Sequence, residues 1–185
     1  MKHITLPLAA LCFAAAPLRA QADPPTPAAA VEAAFAAKSE RDWPRFLSLV
    51  HPGAIDAFKQ THSRMRGLLP DVLKSVFQVE SWEEYERTPA DVLLTRWLES
   101  GYPLHPQSGS EGTRRIVGTV QRSDSVAYVV FEVHYPPPRM RSRWPPRELV
   151  RVITARLTPA GWRVMLNGGL VFDESGGIGF GGPNE

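Results

Sequence analysis

At Gly101 the hydrophobic period of this chain changes from 3.6 to 2, and that change restricts the fold more than any other feature. Before it, apolar residues recur at helical spacing. Val31, Ala34, Phe35 and Lys38 mark a first helix behind a Thr26-Pro27 start, and Asp42 caps a second carrying Trp43, Phe46, Leu47 and Val50. His51-Pro52-Gly53 stops that helix. Ile55 and Phe58 begin a third helical segment running to about Gly67, and Leu73, Val76 and Phe77 mark a short fourth. Thr88-Pro89-Ala90-Asp91 reads as a capping-box start for a helix through Val92, Trp97 and Leu98, ended by Gly101.

Beyond Gly101 apolar residues alternate. Three β runs follow, Arg114 to Arg122, Val126 to Tyr135 and Leu149 to Thr158, with a fourth from Trp162 to about Phe172. Helices first and strands afterwards give an α+β fold, N-terminal helices packed on a curved antiparallel sheet. A two-residue turn at Ser123-Asp124 pairs Val120 with Ala127, Gly118 with Val129, Ile116 with Phe131 and Arg114 with Val133 on one face. On the other it pairs Thr119 with Tyr128, Val117 with Val130 and Arg115 with Glu132. A turn at Pro159-Ala160 pairs Leu157 with Trp162, Ala155 with Val164, Ile153 with Leu166, Arg151 with Gly168 and Leu149 with Leu170. Both hairpins thus acquire one apolar face for the helices to cover.

The ends carry different signals. Met1-Lys2-His3, an apolar run from Ile4 to Pro17 and the Ala20-Gln21-Ala22 site read as residues 1–22 of a cleaved signal peptide; a bilayer span takes about 20 apolar residues, more than this run holds. The expected destination is the periplasm or the exterior of a bacterium, and 17 arginines against 4 lysines fit a GC-rich genome. Cys12 leaves with the leader, so thiol nucleophiles, disulfides and Cys-ligated metals are excluded from the mature chain. Losing Lys2 and Arg19 leaves 19 basic against 19 acidic residues, a balance that argues against nucleic acid as a partner. Residues 23–27 read as a flexible leader, 28–172 as a single domain, and 173–185 as a disordered Gly-rich tail. No helix follows those glycines, so they are not a phosphate-cradling loop.

Four segments carry a resemblance: Val31-Glu32-Ala33-Ala34-Phe35, Arg41-Asp42-Trp43, Leu47-Ser48-Leu49-Val50-His51-Pro52 and Gly161-Trp162-Arg163-Val164. With the helices-then-strands order, the chain over about Ala28 to Phe172 resembles the nuclear transport factor 2-like superfamily. That resemblance implies a cone-shaped fold, a pocket between helices and sheet, and a homodimer through the outer sheet face. The export signal, the acidic stretch around Glu83 and an Arg-Pro loop depart from the pattern.

The register places Arg114 and Arg151 on the helix-facing side, where an isolated guanidinium is costly and a carboxylate, phosphate or backbone partner is required. With Tyr135, and with Gly168 leaving room beside Arg151, they form a candidate pocket for an anionic small molecule. An internal ion pair is the plainer account, since Glu80 to Glu99 carries a net charge of minus four. A second candidate is the segment from Pro136 to Arg147, with five prolines, four arginines and Trp144 in 12 residues. Its Arg139, Arg141, Arg143 and Trp144 are residue types enriched at interface hot spots, fit for an envelope protein partner. Glu132 beside His134 is read as the cross-strand partner of Arg115, and His51 as a helix-end histidine at the negative end of a dipole. His62 and His105 lack partners at metal-ligand spacing, and nothing calls for a metal or cofactor. The function expected is an exported, non-catalytic binding module. The alternative is an isomerase- or dehydratase-type enzyme drawing a proton-transfer residue from Asp56, His62 or Asp91, because the inward strand positions hold no acid or histidine.

Overall fold

A computed structural model describes residues 23–64, 72–101, 113–135 and 147–166. Its helical half opens where the sequence puts a cap: the Thr26 hydroxyl accepts the Ala29 N–H at 3.1 Å, and Pro27 brings a first-turn residue with no amide to satisfy. Helix α1, Pro27–Glu40, buries Ala30, Val31, Ala34 and Ala37 and ends at Arg41, whose φ of 56° is left-handed and whose N–H reaches the Ala37 and Lys38 carbonyls. Helix α2, Trp43–Leu49, is capped as its sequence requires, the Asp42 carboxylate accepting the Arg45 N–H at 3.1 Å.

Three local readings need correction. Helix α3, Pro52–Arg64, starts on Pro52 rather than near Ile55, because the His51 imidazole caps it: Nδ1 accepts the Gly53 N–H at 3.1 Å. After the short α4, Val72–Ser75, comes a helix the apolar spacing did not announce, α5, Trp82–Arg87. Its signal was polar. Ser81 Oγ accepts the Glu84 N–H at 3.2 Å while the Glu84 carboxylate accepts the Glu80 N–H at 2.8 Å, a close variant of the capping box. Third, Thr88 caps nothing: its hydroxyl donates to the Glu84 carbonyl at 2.8 Å and closes α5, while α6, Ala90–Ser100, begins behind Pro89 with no side-chain cap and ends at left-handed Gly101.

The strands are β1, Thr113–Ser123; β2, Val126–Tyr135; β3, Arg147–Thr158; and β4, Gly161–Val164, antiparallel in the order β1-β2-β3-β4. Arg114–Val133, Arg115–Glu132 and Ile116–Phe131 pair as expected, but not through the expected turn: Ser123 pairs with Val126, so the turn is Asp124-Ser125 rather than Ser123-Asp124, and one register shift beside it, between Gln121 and Ser123, and a second further along restore the pairing. A bulge at Val117 then shifts the rest, so Gly118 faces Val130, Thr119 faces Val129 and Val120 faces Tyr128. Val120 therefore leaves the covered face and is 58% exposed. In the second hairpin Leu157–Trp162 and Ala155–Val164 pair as expected; Gly168, Leu170 and the continuation to Phe172 lie outside the described residues, as do residues 1–22, read from the sequence as a signal peptide, and the Gly-rich tail.

The core lies between one sheet face and the helices. Ala127, Val129, Phe131, Val133, Ile153, Ala155 and Val164 are buried from the sheet, and Val31, Phe46, Phe58, Phe77, Tyr85, Leu93 and Leu94 from the helices. Each large side chain so buried contributes about 1.5–3 kcal/mol. The acidic segment is tied into the helical layer: Lys59 Nζ donates to the Glu86 and Thr88 carbonyls at 2.7 and 2.8 Å, and Arg96 Nη1 donates to the Phe77 carbonyl at 3.0 Å. Asp23 and Pro24, read from the sequence as part of a flexible leader, lie against β4 instead, with Pro24 buried and Asp23 paired with Arg163.

Candidate functional site

The register brings Arg114 and Arg151 to the covered face of the sheet. Val133 on β2 faces Arg114 on one side and Leu149 on the other; one step along, Phe131 faces Ile116 and Arg151. The two arginines thus sit diagonally across β2, both half-buried. Helix α1 sends Phe35 between them and the core. Its ring meets Phe131 edge-on at 5.0 Å and 64°, and the Arg114 Cζ lies 4.8 Å from the Phe35 centroid. A ring offers no oxygen or nitrogen acceptor to the guanidinium above it, so the N–H fork keeps its capacity for a carboxylate or phosphate. The Arg114 side chain makes no hydrogen bond to a described residue, whereas Arg151 is itself engaged.

Of the other sequence candidates, Tyr135 pairs with Arg147 at the ends of β2 and β3. Its side chain, Gly168, and the Arg139, Arg141, Arg143 and Trp144 segment lie outside the described residues.

The titratable groups fall elsewhere. Asp56 on α3 and Asp91 on α6 are exposed. His62 is buried at 6% exposure, its ring 4.4 Å from Phe58 and 5.3 Å from Phe77, with Nδ1 3.0 Å from the Phe58 carbonyl. Burial lowers its pKa, so at neutral pH it is an uncharged donor to that carbonyl. His51 follows the C-cap of α2, as read from the sequence, but its ring works at the positive N-terminal end of α3. There burial, and then the charge of Arg156, lower its pKa and keep Nδ1 an acceptor. Glu132 accepts from Arg115 Nη2 at 2.8 Å on the outer face, and His134 Nδ1 lies 3.2 Å from Glu148. Among the described residues no group of three His, Cys, Asp or Glu is placed to hold a metal ion.

Sequence reasoning missed one concave feature. A cleft of about 280 Å³ opens where α1 ends, lined by Lys38, Ser39, Arg41, Trp43, Leu98 and Glu99. It joins residues some sixty positions apart, which no local pattern encodes. Glu99 offsets part of its positive charge, and Lys38 is already engaged. Arg114 is the stronger candidate, because its fork has no such neighbour among the described residues.

No family model, curated protein or solved structure matches this chain.

Proposed function

We propose that the chain is an exported, non-catalytic binding module, similar in plan to the nuclear transport factor 2-like proteins, and that it takes a small anionic ligand at Arg114. The observation that carries this is the half-buried guanidinium stacked on Phe35 with its hydrogen-bonding fork unspent among the described residues. Arg151, one row away, adds positive charge to the same face. Tyr135 and Arg147, the strand ends joined by the Arg-Pro segment, lie two positions beyond Val133 and Leu149, so that segment starts and returns beside the site. Binding is favoured over proton transfer because the described inward strand positions carry no Asp, Glu or His. No described helix is long and apolar enough to cross a membrane.

The test is a thermal-shift and calorimetry panel of small carboxylates and phosphate esters. Wild type gains stability with at least one class; Arg114→Ala keeps its circular dichroism and loses the gain, and Arg114→Lys, lacking the planar fork, keeps only part. An equal gain in Arg114→Ala, or none in wild type, overturns the reading.

The outer face supports a second copy as partner. Val117, Val120, Val150 and Val152 stand 53, 58, 67 and 43% exposed on or beside it. Exposed apolar side chains on β1 and β3, on either side of β2, favour burial against a partner. Val150→Lys then lowers the sedimenting mass from two chains to one; a monomeric wild type rejects the pairing.

A further inference from the structure

The residues ahead of α1 dock on the turn into β4. Arg163 extends from β4 with its side chain only 10% exposed, Nη2 donating to Asp23 Oδ1 at 2.6 Å and Nη1 to the Trp162 carbonyl at 3.0 Å. A guanidinium this buried is costly without a carboxylate, and Asp23, itself 57% exposed, supplies one from outside the core. Pro24 is buried beside it, and its carbonyl accepts the Trp162 N–H at 3.4 Å. The turn is shaped to admit them: Gly161 has φ of 86°, and a Cβ there would come within 3.0 Å of Asp23 Cβ and 3.2 Å of the Pro24 oxygen.

The chemistry of the segment suits an edge cover. β4 is the last described strand of the sheet; Val50 and His51 already cover its Val164 end, the His51 N–H donating to the Val164 carbonyl at 2.9 Å, and the Trp162 end without a cover would invite pairing with other chains. Pro24 and Pro25 offer an acceptor to that edge but no N–H of their own, so the cover cannot continue as a strand. Their fixed φ also reduces the entropy lost on docking.

We propose that Asp23 and Pro24 form a strap that latches onto Arg163 and the Trp162 end of the β4 edge, so that the residues ahead of α1 close the sheet there.

Amide hydrogen exchange over β4 tests the strap on three soluble chains: one beginning at Asp23, one beginning at Thr26, which keeps the α1 cap, and the first with Asp23→Asn. Starting at Thr26 speeds exchange at Trp162 by about tenfold, the scale of one lost charge-assisted contact, while the β1–β2 amides keep their rates. Asp23→Asn falls between the two. Equal protection in all three chains overturns the strap.

Discussion

Two ring-lined regions of this molecule treat their polar groups in opposite ways. In the helical layer Phe58, Phe77, Tyr85 and Trp97 meet edge to face with His62 tilted among them, and the polar tips of His62 and Tyr85 reach backbone carbonyls: His62 Nδ1 to Phe58, and the Tyr85 hydroxyl to Lys59 at 3.2 Å. Under the sheet Phe35 and Phe131 make a similar edge contact, and the polar group above them, Arg114, meets a ring rather than an acceptor. The first arrangement is closed and contributes stability. The second keeps hydrogen-bonding capacity in a half-buried place, which is what recognition of an anion needs.

The contrast breaks if the two regions respond alike to truncation. Phe58→Ala removes the ring shared by His62, Phe77 and Trp97 and destabilises the fold by about 3–5 kcal/mol in denaturant titration. A loss below about 1 kcal/mol would mean the aromatic layer is not the tightly packed core described. Arg114→Ala, by contrast, removes a cation–π contact of about 0.5–1 kcal/mol and with it the ligand response. Tyr85→Phe sharpens the comparison with a single atom. Tyr85 is fully buried, and burial holds its phenol well above the ordinary range, so the hydroxyl acts only as a donor to Lys59. Its removal costs about 0.5–1.5 kcal/mol, read from the same titration, and leaves ligand binding unchanged.

A gentler effect comes from pH. His62 and His51 both have pKa values lowered by folding, first through burial, with Arg156 adding to the effect at His51. Below the ordinary value of 6.5 the unfolded chain binds protons that the folded chain resists. Their contribution to stability is therefore complete above that value and is lost as pH falls toward the folded values. Wild type loses denaturation free energy between pH 7.5 and about 5, above most carboxylate titrations. His62→Phe flattens that slope, and His51→Asn, which keeps an α3 cap, flattens it further. An unchanged slope in both variants removes the histidines from the account.

Much of this arrangement is visible in the sequence. Thr26, Asp42 and Gly101 mark helix ends by side-chain and backbone chemistry that acts within four residues, and alternation places Arg114 and Arg151 on the covered face. What escaped depends on other forces. Helix α5 has too few apolar residues to show a period, and its Ser81–Glu84 cap has to be read as polar chemistry. The bulge at Val117 inserts one residue into a run with valines on both faces, so hydrophobicity alone cannot tell Val117 from Val120. The Lys38–Glu99 cleft and the docking of Asp23 on Arg163 join residues far apart in the chain, the latter separated by 140 positions.

The smallest expected effect tests how the register next to that bulge is held. Arg115 and Glu132 face each other immediately before the shift, with side chains 75% and 36% exposed, so solvent screens the pair. A double-mutant cycle with Arg115→Ala and Glu132→Ala gives a coupling of about 0.2–1 kcal/mol, weakening as salt rises. Arg114, one residue away on the opposite face, takes its position from the same backbone pairing with Val133. If the outer ion pair only decorates that pairing, the ligand response at Arg114 survives both substitutions. If it sets the register, both variants lose the response together with the coupling, and the site would then be positioned by its solvent-facing side and not by Phe35 and Phe131 beneath it.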